Sequence, residues 1–253
     1  MKILSDLTLN ELKQQLAVLP AFRAKQIFDA ILQSKDFDAI NFSADLKAKL
    51  KQDYILKPVE IFKVFTSRDG TKKYLLKLHD NNLVESVFLT QNYGNTICLS
   101  TQVGCRMGCK FCASTLNGLI RNLSAGEMLS IIAALNADNG KCTARNFSNI
   151  VLMGSGEPLD NFDNVVKWLE LITDPNGFNV SERNISISTC GLVDKIYDLA
   201  KLKFNITLCV SLHATDDETR KTIMPIANRY TIEEIIKAVK NYVKINNRRV
   251  VFE

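Results

Sequence analysis

The chain has 253 residues, of which 46% are hydrophobic, and a formal net charge of +5. This content is sufficient for one sizeable core with a small accessory domain. The longest largely apolar stretch, residues 128–137, falls far short of the roughly 20 residues that a bilayer requires. The N-terminal residues become polar too soon for a signal peptide, so the seven cysteines are expected to be reduced thiols or metal ligands. We therefore expect a cytoplasmic protein with no membrane partner and no disulfide framework.

Residues 1–57 are predicted to form a small helical domain. Thr8 and Glu11 have the spacing of a capping box that opens a helix. Pro20 is suited to begin a second helix, and Ser43 precedes a third. This helical segment is a candidate accessory domain.

The next segment, residues 58–95, changes to a pattern of alternating apolar and polar residues. Its apolar runs are separated by turn sequences at residues 68–70 and 80–82. The segment is therefore predicted to be a β-meander whose strands are joined by hairpin turns.

Residues 96–253 alternate between short apolar strands and helices. Such alternation indicates a parallel sheet covered by helices. At roughly 30 residues per unit, this region holds about five strands. A complete eight-stranded barrel requires about 250 residues of its own. The predicted fold class is α/β, with a partial, open (β/α) barrel.

Three cysteines, Cys105, Cys109 and Cys112, form a C-x-x-x-C-x-x-C motif on a predicted loop. Three thiolates on one loop can hold three irons of a cubane cluster and leave the fourth iron free for a substrate. A structural zinc site requires four ligands, and the sequence has no second cysteine pair to supply them. A zinc ion completed by Cys98 or Cys142 remains the alternative. The motif favours a [4Fe-4S] cluster.

A Gly-x-Gly motif, residues 154–156, follows the predicted strand at residues 149–153 and precedes Glu157. Its glycines allow the backbone to approach a ligand, and Glu157 can pair with a cationic amino group. The alternative is half of a dinucleotide fingerprint. Leu159 stands where that fingerprint has its third glycine, which argues against it.

The cysteine motif resembles that of the radical S-adenosylmethionine (SAM) enzymes. Further motifs follow in the order and near spacing of one family within that superfamily. They lie at residues 96–105, 121–127, 153–159, 188–191, 211–214 and 224–226. Together they resemble the dual-specificity adenine carbon-2 methyltransferases of 23S rRNA and tRNA, of the RlmN type. The resemblance extends from about Glu85 to Glu253 and implies six βα units, of which this sequence is expected to contain five.

The resemblance implies a [4Fe-4S] cluster and SAM as cofactors. The cluster ligands would be the three motif cysteines, and other residues would contact SAM. The implied SAM-binding residues are Phe111, Gly156, Glu157, Ser188, Ser211, Leu212 and His213. Cys142, Cys190 and Cys209 have no role in these motifs and are expected to be packing residues.

The family's reaction implies two further roles. One SAM methylates a cysteine in a C-terminal tail, and a second SAM activates that methyl group for addition to adenine. Glu85 occupies the position of the proton acceptor, and its apolar sequence neighbours suggest a raised pKa. Cys98 matches the resolving thiol, which forms a transient disulfide bond. No cysteine follows Cys209, so we expect the methyl-carrying cysteine and the last unit to be missing and the chain alone to be inactive.

The implied partners are 23S rRNA, tRNA and an electron donor such as flavodoxin, with a monomeric state for the complete enzyme. Two basic clusters are candidates for phosphate contacts, although solvated surfaces explain them equally well. One contains Arg68, Lys72, Lys73 and Lys77, and the other contains Lys240, Lys244, Arg248 and Arg249. The alternatives are an adenine carbon-8 rRNA methyltransferase of the same superfamily and a non-catalytic iron–sulfur RNA-binding protein.

Overall fold

The computed structural model describes residues 1–140 and 145–253. The expectation for Cys142 therefore lies outside the described residues. The strands within these ranges are numbered in chain order. They are β1 (Lys2–Ile3), β2 (Tyr54–Ile55), β3 (Val59–Thr66), β4 (Lys72–Leu78), β5 (Leu83–Leu89), β6 (Thr96–Cys98), β7 (Gln102–Gly104), β8 (Leu119–Asn122), β9 (Asn149–Leu152), β10 (Ile185–Thr189), β11 (Thr207–Val210) and β12 (Val250–Phe252).

The helices are numbered in the same way. They are α1 (Leu9–Gln15), α2 (Ala21–Leu32), α3 (Ala44–Asp53), α4 (Ala125–Asn139), α5 (Phe162–Thr173), α6 (Val193–Lys201), α7 (Asp217–Ile223) and α8 (Ile232–Asn246). Across the described residues, no helix has the length and apolar character needed to cross a bilayer.

The N-terminal helices begin at the predicted caps. The Thr8 hydroxyl accepts from the Glu11 N–H and the Glu11 carboxylate accepts from the Thr8 N–H, which completes the capping box. Pro20 and Ser43 occupy the N-cap positions of α2 and α3. The predicted starts are confirmed because capping depends on local sequence alone.

The N-terminal segment docks directly onto α4. The Asp6 carboxylate accepts a hydrogen bond of 2.5 Å from the Gly126 N–H in the first turn of α4. A Cβ at Gly126 would lie 2.4 Å from the Asp6 nitrogen, so only glycine permits this approach. An ion pair between Lys167 and Glu11 joins α5 to α1. The helical segment thus shares one hydrophobic core with the rest of the chain.

The central sheet contains eight strands in the order β12-β11-β10-β9-β6-β5-β4-β3. Strands β6, β9, β10, β11 and β12 are parallel, which confirms the five predicted parallel strands. Strands β3, β4 and β5 are antiparallel and continue the same sheet through the β5–β6 pairing. The meander is therefore an extension of the partial barrel, and it places β5 beside the strand that leads to the cysteine loop.

A hairpin around the cysteine loop was not predicted from the sequence. Strands β7 and β8 form a separate antiparallel pair whose connection carries the three cysteines. Each has at most four residues, which is too short for a period of two to be recognised. Because β7 and β8 pair on either side of it, the cysteine loop is a hairpin connection between two strands and not a simple βα connection.

Candidate active site

The cysteine loop is closed at its base by main-chain contacts. The Cys105 N–H donates to the Gly118 carbonyl at 3.0 Å. Gly104 has a φ of +77°, and a Cβ there would lie 2.0 Å from the Gly118 oxygen. Only glycine fits this crossing. At the other end of the loop the Lys110 N–H donates to the Ile223 carbonyl at 2.9 Å, which ties the loop to the end of α7.

Beneath the loop lies a cavity of about 270 Å³, here called the cluster cavity. It brings together nine of the twelve residues that the sequence predicted for the site. They are Cys105, Cys109, Phe111, Cys112, Gly156, Glu157, Ser188, Ser211 and His213. These residues come from the cysteine loop and from the carboxyl ends of β9, β10 and β11. Parallel strands expose their carboxyl ends at one edge of a sheet, and this places distant motifs side by side.

Glu157 is the acidic residue buried at the strand ends. Its carboxylate accepts hydrogen bonds from the Cys190 N–H at 2.8 Å and the Leu159 N–H at 3.0 Å. Burial raises the pKa of Glu157, and the main-chain donors oppose that shift. A carboxylate with two oxygens can accept further hydrogen bonds, so a cationic group in the cavity remains a suitable partner.

The opposite wall is formed by the ends of β10 and β11. The hydroxyl oxygens of Ser188 and Ser211 lie 3.4 Å apart. The His213 ring packs edge-on against the Phe111 ring, with centroids 4.9 Å apart. Leu212, the tenth predicted residue, does not line the cavity; its N–H donates to the main-chain oxygen of Glu253 at 2.9 Å. The two rings are nearly perpendicular, at 78°, so the edge of one ring meets the face of the other at this end of the cavity.

A second cavity of about 540 Å³, here called the adjoining cavity, contains the two remaining predicted residues, Glu85 and Cys98. Cys112, Met153 and Gly154 line both cavities, so the two spaces share a wall. Burial raises the pKa of the Cys98 thiol. The site therefore has two compartments, one beneath the cysteine loop and one beside the antiparallel strands.

The expectation of apolar surroundings for Glu85 was wrong. Its side chain is 57% exposed and forms an ion pair of 3.0 Å with Lys73. Successive residues of a strand face opposite sides of the sheet. The sequence neighbours Val84 and Ser86 therefore point into the core while Glu85 points out of it.

Comparison with known proteins decides the family. The model of the radical SAM superfamily matches residues 99–253. A "Probable dual-specificity RNA methyltransferase RlmN" of Clostridium perfringens (strain 13) is 51% identical over 100% of this chain and 74% of its own length. The Clostridium novyi protein of that name is 48% identical with the same coverage. The chain belongs to the RlmN family of the radical SAM superfamily.

A solved structure agrees with this RlmN assignment. The crystal structure of a radical SAM methyltransferase from Sphaerobacter thermophilus matches with a TM-score of 0.93 and 38% sequence identity. The match covers 100% of this chain and 75% of that protein. The fold predicted from the sequence, a partial barrel of the radical SAM type, is thereby confirmed.

RlmN proteins use a [4Fe-4S] cluster and SAM, and the cysteine loop fits a cluster. Burial raises the pKa of Cys105 to about 11 and also raises the pKa of Cys109, so iron must displace thiol protons on binding. In residues 1–140 and 145–253, no three His, Cys, Asp or Glu side chains converge on a single metal ion. Thiolates on one zinc ion would lie about 3.8 Å apart, whereas a cubane holds each thiolate on a different iron. Cys98 lies in the adjoining cavity and not beneath the cysteine loop, which argues against the zinc alternative with Cys98.

Two residues of this RlmN site were missed or misjudged from the sequence. Cys190 is packed in the core, as expected, but it also lines the cluster cavity and donates its N–H to Glu157, a contact that the sequence did not indicate. Arg220 on α7 is 0% exposed and donates to the Cys190 carbonyl at 2.6 Å and the Leu212 carbonyl at 3.2 Å. Burial lowers its pKa. In the sequence, the one indication that Arg220 belongs to the site is its position four residues before the motif at residues 224–226.

The described cysteines are Cys98, Cys105, Cys109, Cys112, Cys190 and Cys209, and all are free thiols. The transient disulfide bond inferred for Cys98 stays a prediction.

Proposed function

We propose that this chain is a radical SAM methyltransferase that methylates carbon 2 of adenosine in 23S rRNA and tRNA. The observation that carries the proposal is the wall shared by the two cavities. A cofactor held beneath the cysteine loop would lie next to a second space that contains a carboxylate and a thiol. The names of the RlmN relatives supply the RNA substrate.

When bound, the cluster and SAM supply a one-electron cleavage of SAM that yields a carbon radical. Cys105, Cys109 and Cys112 hold the cluster. The Glu157 carboxylate accepts hydrogen bonds from the amino group of SAM, and this charge-assisted contact orients the cofactor.

Other residues of the cluster cavity complete the proposed cofactor contacts. Ser188 and Ser211 offer hydroxyl groups, and Phe111 packs beside the nucleoside with His213 behind it. Gly156, with a φ of +103°, gives the backbone a turn that L-residues rarely adopt. Leu212 contributes through its main chain.

In the adjoining cavity, Glu85 accepts the proton released from the adenine ring. The ion pair with Lys73 fixes the position of its carboxylate. Cys98 acts as the resolving thiol, which requires loss of a proton that burial disfavours.

The remaining proposals concern partners. Residues 1–57 form an accessory domain that helps to hold RNA, residues 58–95 form the meander, and residues 96–253 form the catalytic barrel. The electron donor is a flavodoxin-like protein, and the enzyme acts as a monomer in the cytoplasm.

Cleavage of SAM tests the reaction class. The chain is extended by the C-terminal segment of the Clostridium perfringens relative that lies beyond the matched 74%. After reconstitution and anaerobic incubation with SAM and a strong reductant, this extended chain should release 5′-deoxyadenosine and methionine. Liquid chromatography with mass detection measures both products. A chain that binds RNA and releases no deoxyadenosine would instead be the non-catalytic binding protein.

The methylated position is tested in cells. The gene for this extended chain should restore 2-methyladenosine to the 23S rRNA and tRNA of a host that lacks its own carbon-2 methyltransferase. Mass spectrometry of digested nucleosides separates the isomers. Finding 8-methyladenosine would favour the carbon-8 alternative, and finding neither would contradict the proposal.

Replacing Glu157 by alanine should weaken SAM binding to the reconstituted protein by about 1.5–3 kcal/mol, because a charged hydrogen bond is lost. Glu157→Gln removes the charge and keeps only one of the two oxygens that accept from the Leu159 and Cys190 N–H groups, so it should also weaken SAM binding. Isothermal titration calorimetry measures the affinity, and iron content confirms that the cluster is intact. Glu218→Ala, at a side chain that is 86% exposed, is the control. Equal SAM affinity for Glu157→Ala and this control would rule out the assignment.

A further inference from the structure

The antiparallel strands β3, β4 and β5 have one face directed away from the core. The alternate residues Tyr74, Leu76 and Val84 are buried on the core side. Strand register places the other set on the opposite face, here called the open sheet face. It consists of Glu60, Lys63, Phe65, Lys73, Leu75, Lys77, Leu83, Glu85 and Val87, all exposed or half-buried.

The open sheet face leads into the proposed catalytic site. Phe65 on β3 lies opposite Lys73, which lies opposite Val87, which in turn lies opposite Cys98. Neighbouring strands are about 4.8 Å apart, so this row spans about 14 Å from the sheet edge to the adjoining cavity. The parallel row of Lys63 and Leu75 ends at Glu85. A ligand on this face would be continuous with a ligand in the adjoining cavity.

The chemistry of this face suits single-stranded nucleic acid. Phe65 is 45% exposed, and the Lys63 and Lys73 ammonium groups lie 4.7 and 5.4 Å from its ring centroid. Lys73 is paired with Glu85. Among the described residues, Lys63 and Lys77 form no ion pair with any carboxylate. Lys63 lies beside the Phe65 ring, and Lys77 lies farther along β4, opposite Glu60. An exposed aromatic ring can stack a base, and unpaired lysines on the same face can contact the phosphates along the strand.

We propose that the open sheet face binds the single-stranded RNA next to the target adenosine, with a base stacked on Phe65 and phosphates contacted by Lys63 and Lys77. This inference rests on the proposed function, since it takes RNA as the substrate. An adenine that enters a closed cavity must be unstacked from its neighbours. A surface that stacks the flanking base compensates for the lost base stacking at the entrance of the site.

The test compares two charge-matched double variants of the whole chain. Lys63→Gln with Lys77→Gln removes the two unpaired lysines. Lys201→Gln with Lys237→Gln removes one exposed lysine of α6 and one of α8 as the control. Binding is measured by fluorescence anisotropy with a fluorescein-labelled, mixed-sequence, single-stranded RNA of 12 nucleotides over a salt series.

Each phosphate contact contributes about 0.7 to the slope of log affinity against log salt for single strands. The Lys63/Lys77 variant should therefore lose about 1.4 from the slope and bind about 25-fold more weakly at 0.1 M salt. Phe65→Ala should bind at least about fivefold more weakly with the slope unchanged, because stacking is insensitive to salt. The control should bind as the unsubstituted chain does.

Equal affinity of the two double variants would overturn the proposal, as would equal affinity of Phe65→Ala and the unsubstituted chain. Preference for a 12-base-pair RNA duplex, or no RNA binding by the unsubstituted chain at 50 mM salt, would also overturn it. Deoxyadenosine release from SAM without RNA separates the two proposals. If the extended chain releases deoxyadenosine and the double variants bind RNA alike, only the sheet-face proposal fails. If the extended chain releases none, the proposed function fails.

Discussion

Replacing Cys109 by alanine is expected to abolish the visible absorbance and the iron content that anaerobic reconstitution gives the unsubstituted chain. In the proposed site, the three thiolates would hold the three irons that SAM does not occupy. The loop presents Cys109 from a position fixed by the Lys110–Ile223 hydrogen bond, and the substitution leaves the loop with two thiolates. Absorbance spectra and iron and sulfide analysis measure the loss. The same result is expected for Cys105→Ala and Cys112→Ala.

Cys209→Ala is the matched control for this loss. Cys209 is as buried as Cys109, with 4% exposure against 8%, but it lies on β11 and lines neither cavity. The Cys209→Ala variant should therefore bind as much iron as the unsubstituted chain. Iron retained by Cys109→Ala, or stoichiometric zinc with no iron in the unsubstituted chain, would contradict the cluster assignment.

Replacing Arg220 by methionine is expected to destabilise the fold by about 2–4 kcal/mol, because two buried carbonyls lose a charged donor. The side chain is fully buried and donates to the carbonyls of Cys190 and Leu212, which end β10 and β11 beside the cluster cavity. Methionine would leave both carbonyls without a donor. Urea unfolding followed by circular dichroism measures the change.

Two further variants locate the origin of that loss. Arg220→Lys keeps the charge but cannot reach both carbonyls with one ammonium group, so it should recover less than half of the lost stability. Arg229→Met removes a cation whose side chain is 67% exposed and paired with Asp194. It should cost at most about 1 kcal/mol. A similar cost for Arg220→Met would show that the buried guanidinium does not hold the strand ends together.

The location of Arg220 connects stability to the proposed function. The Cys190 and Leu212 carbonyls, which accept from Arg220, belong to the segments that contain Ser188, Cys190 and Ser211. These three residues line the cluster cavity. The guanidinium, itself buried without a carboxylate partner among the described residues, is satisfied by main-chain oxygens instead. These hydrogen bonds offset the desolvation of the guanidinium, and they link the segments that follow β10 and β11.

The sequence by itself determined the features that depend on local spacing. The capping residues Thr8 and Ser43 set helix starts through hydrogen bonds within one turn. The cysteine spacing predicted a loop that carries three thiols. The alternation of strands and helices predicted the five parallel strands. The position of motifs after strands predicted that Glu157 and Ser188 would meet, since parallel strands end at one edge.

Only the tertiary structure decided the features that depend on which elements pack together. The exposure of Glu85 and its pairing with Lys73 follow from the register of β4 and β5, which local sequence does not encode. The burial of Arg220 depends on two strand ends distant in the chain, and an isolated arginine in a sequence is usually on the surface. The wall shared by the two cavities arises only when the cysteine loop lies beside β5 and the end of β9, because a cavity is a property of packed surfaces and of no single segment.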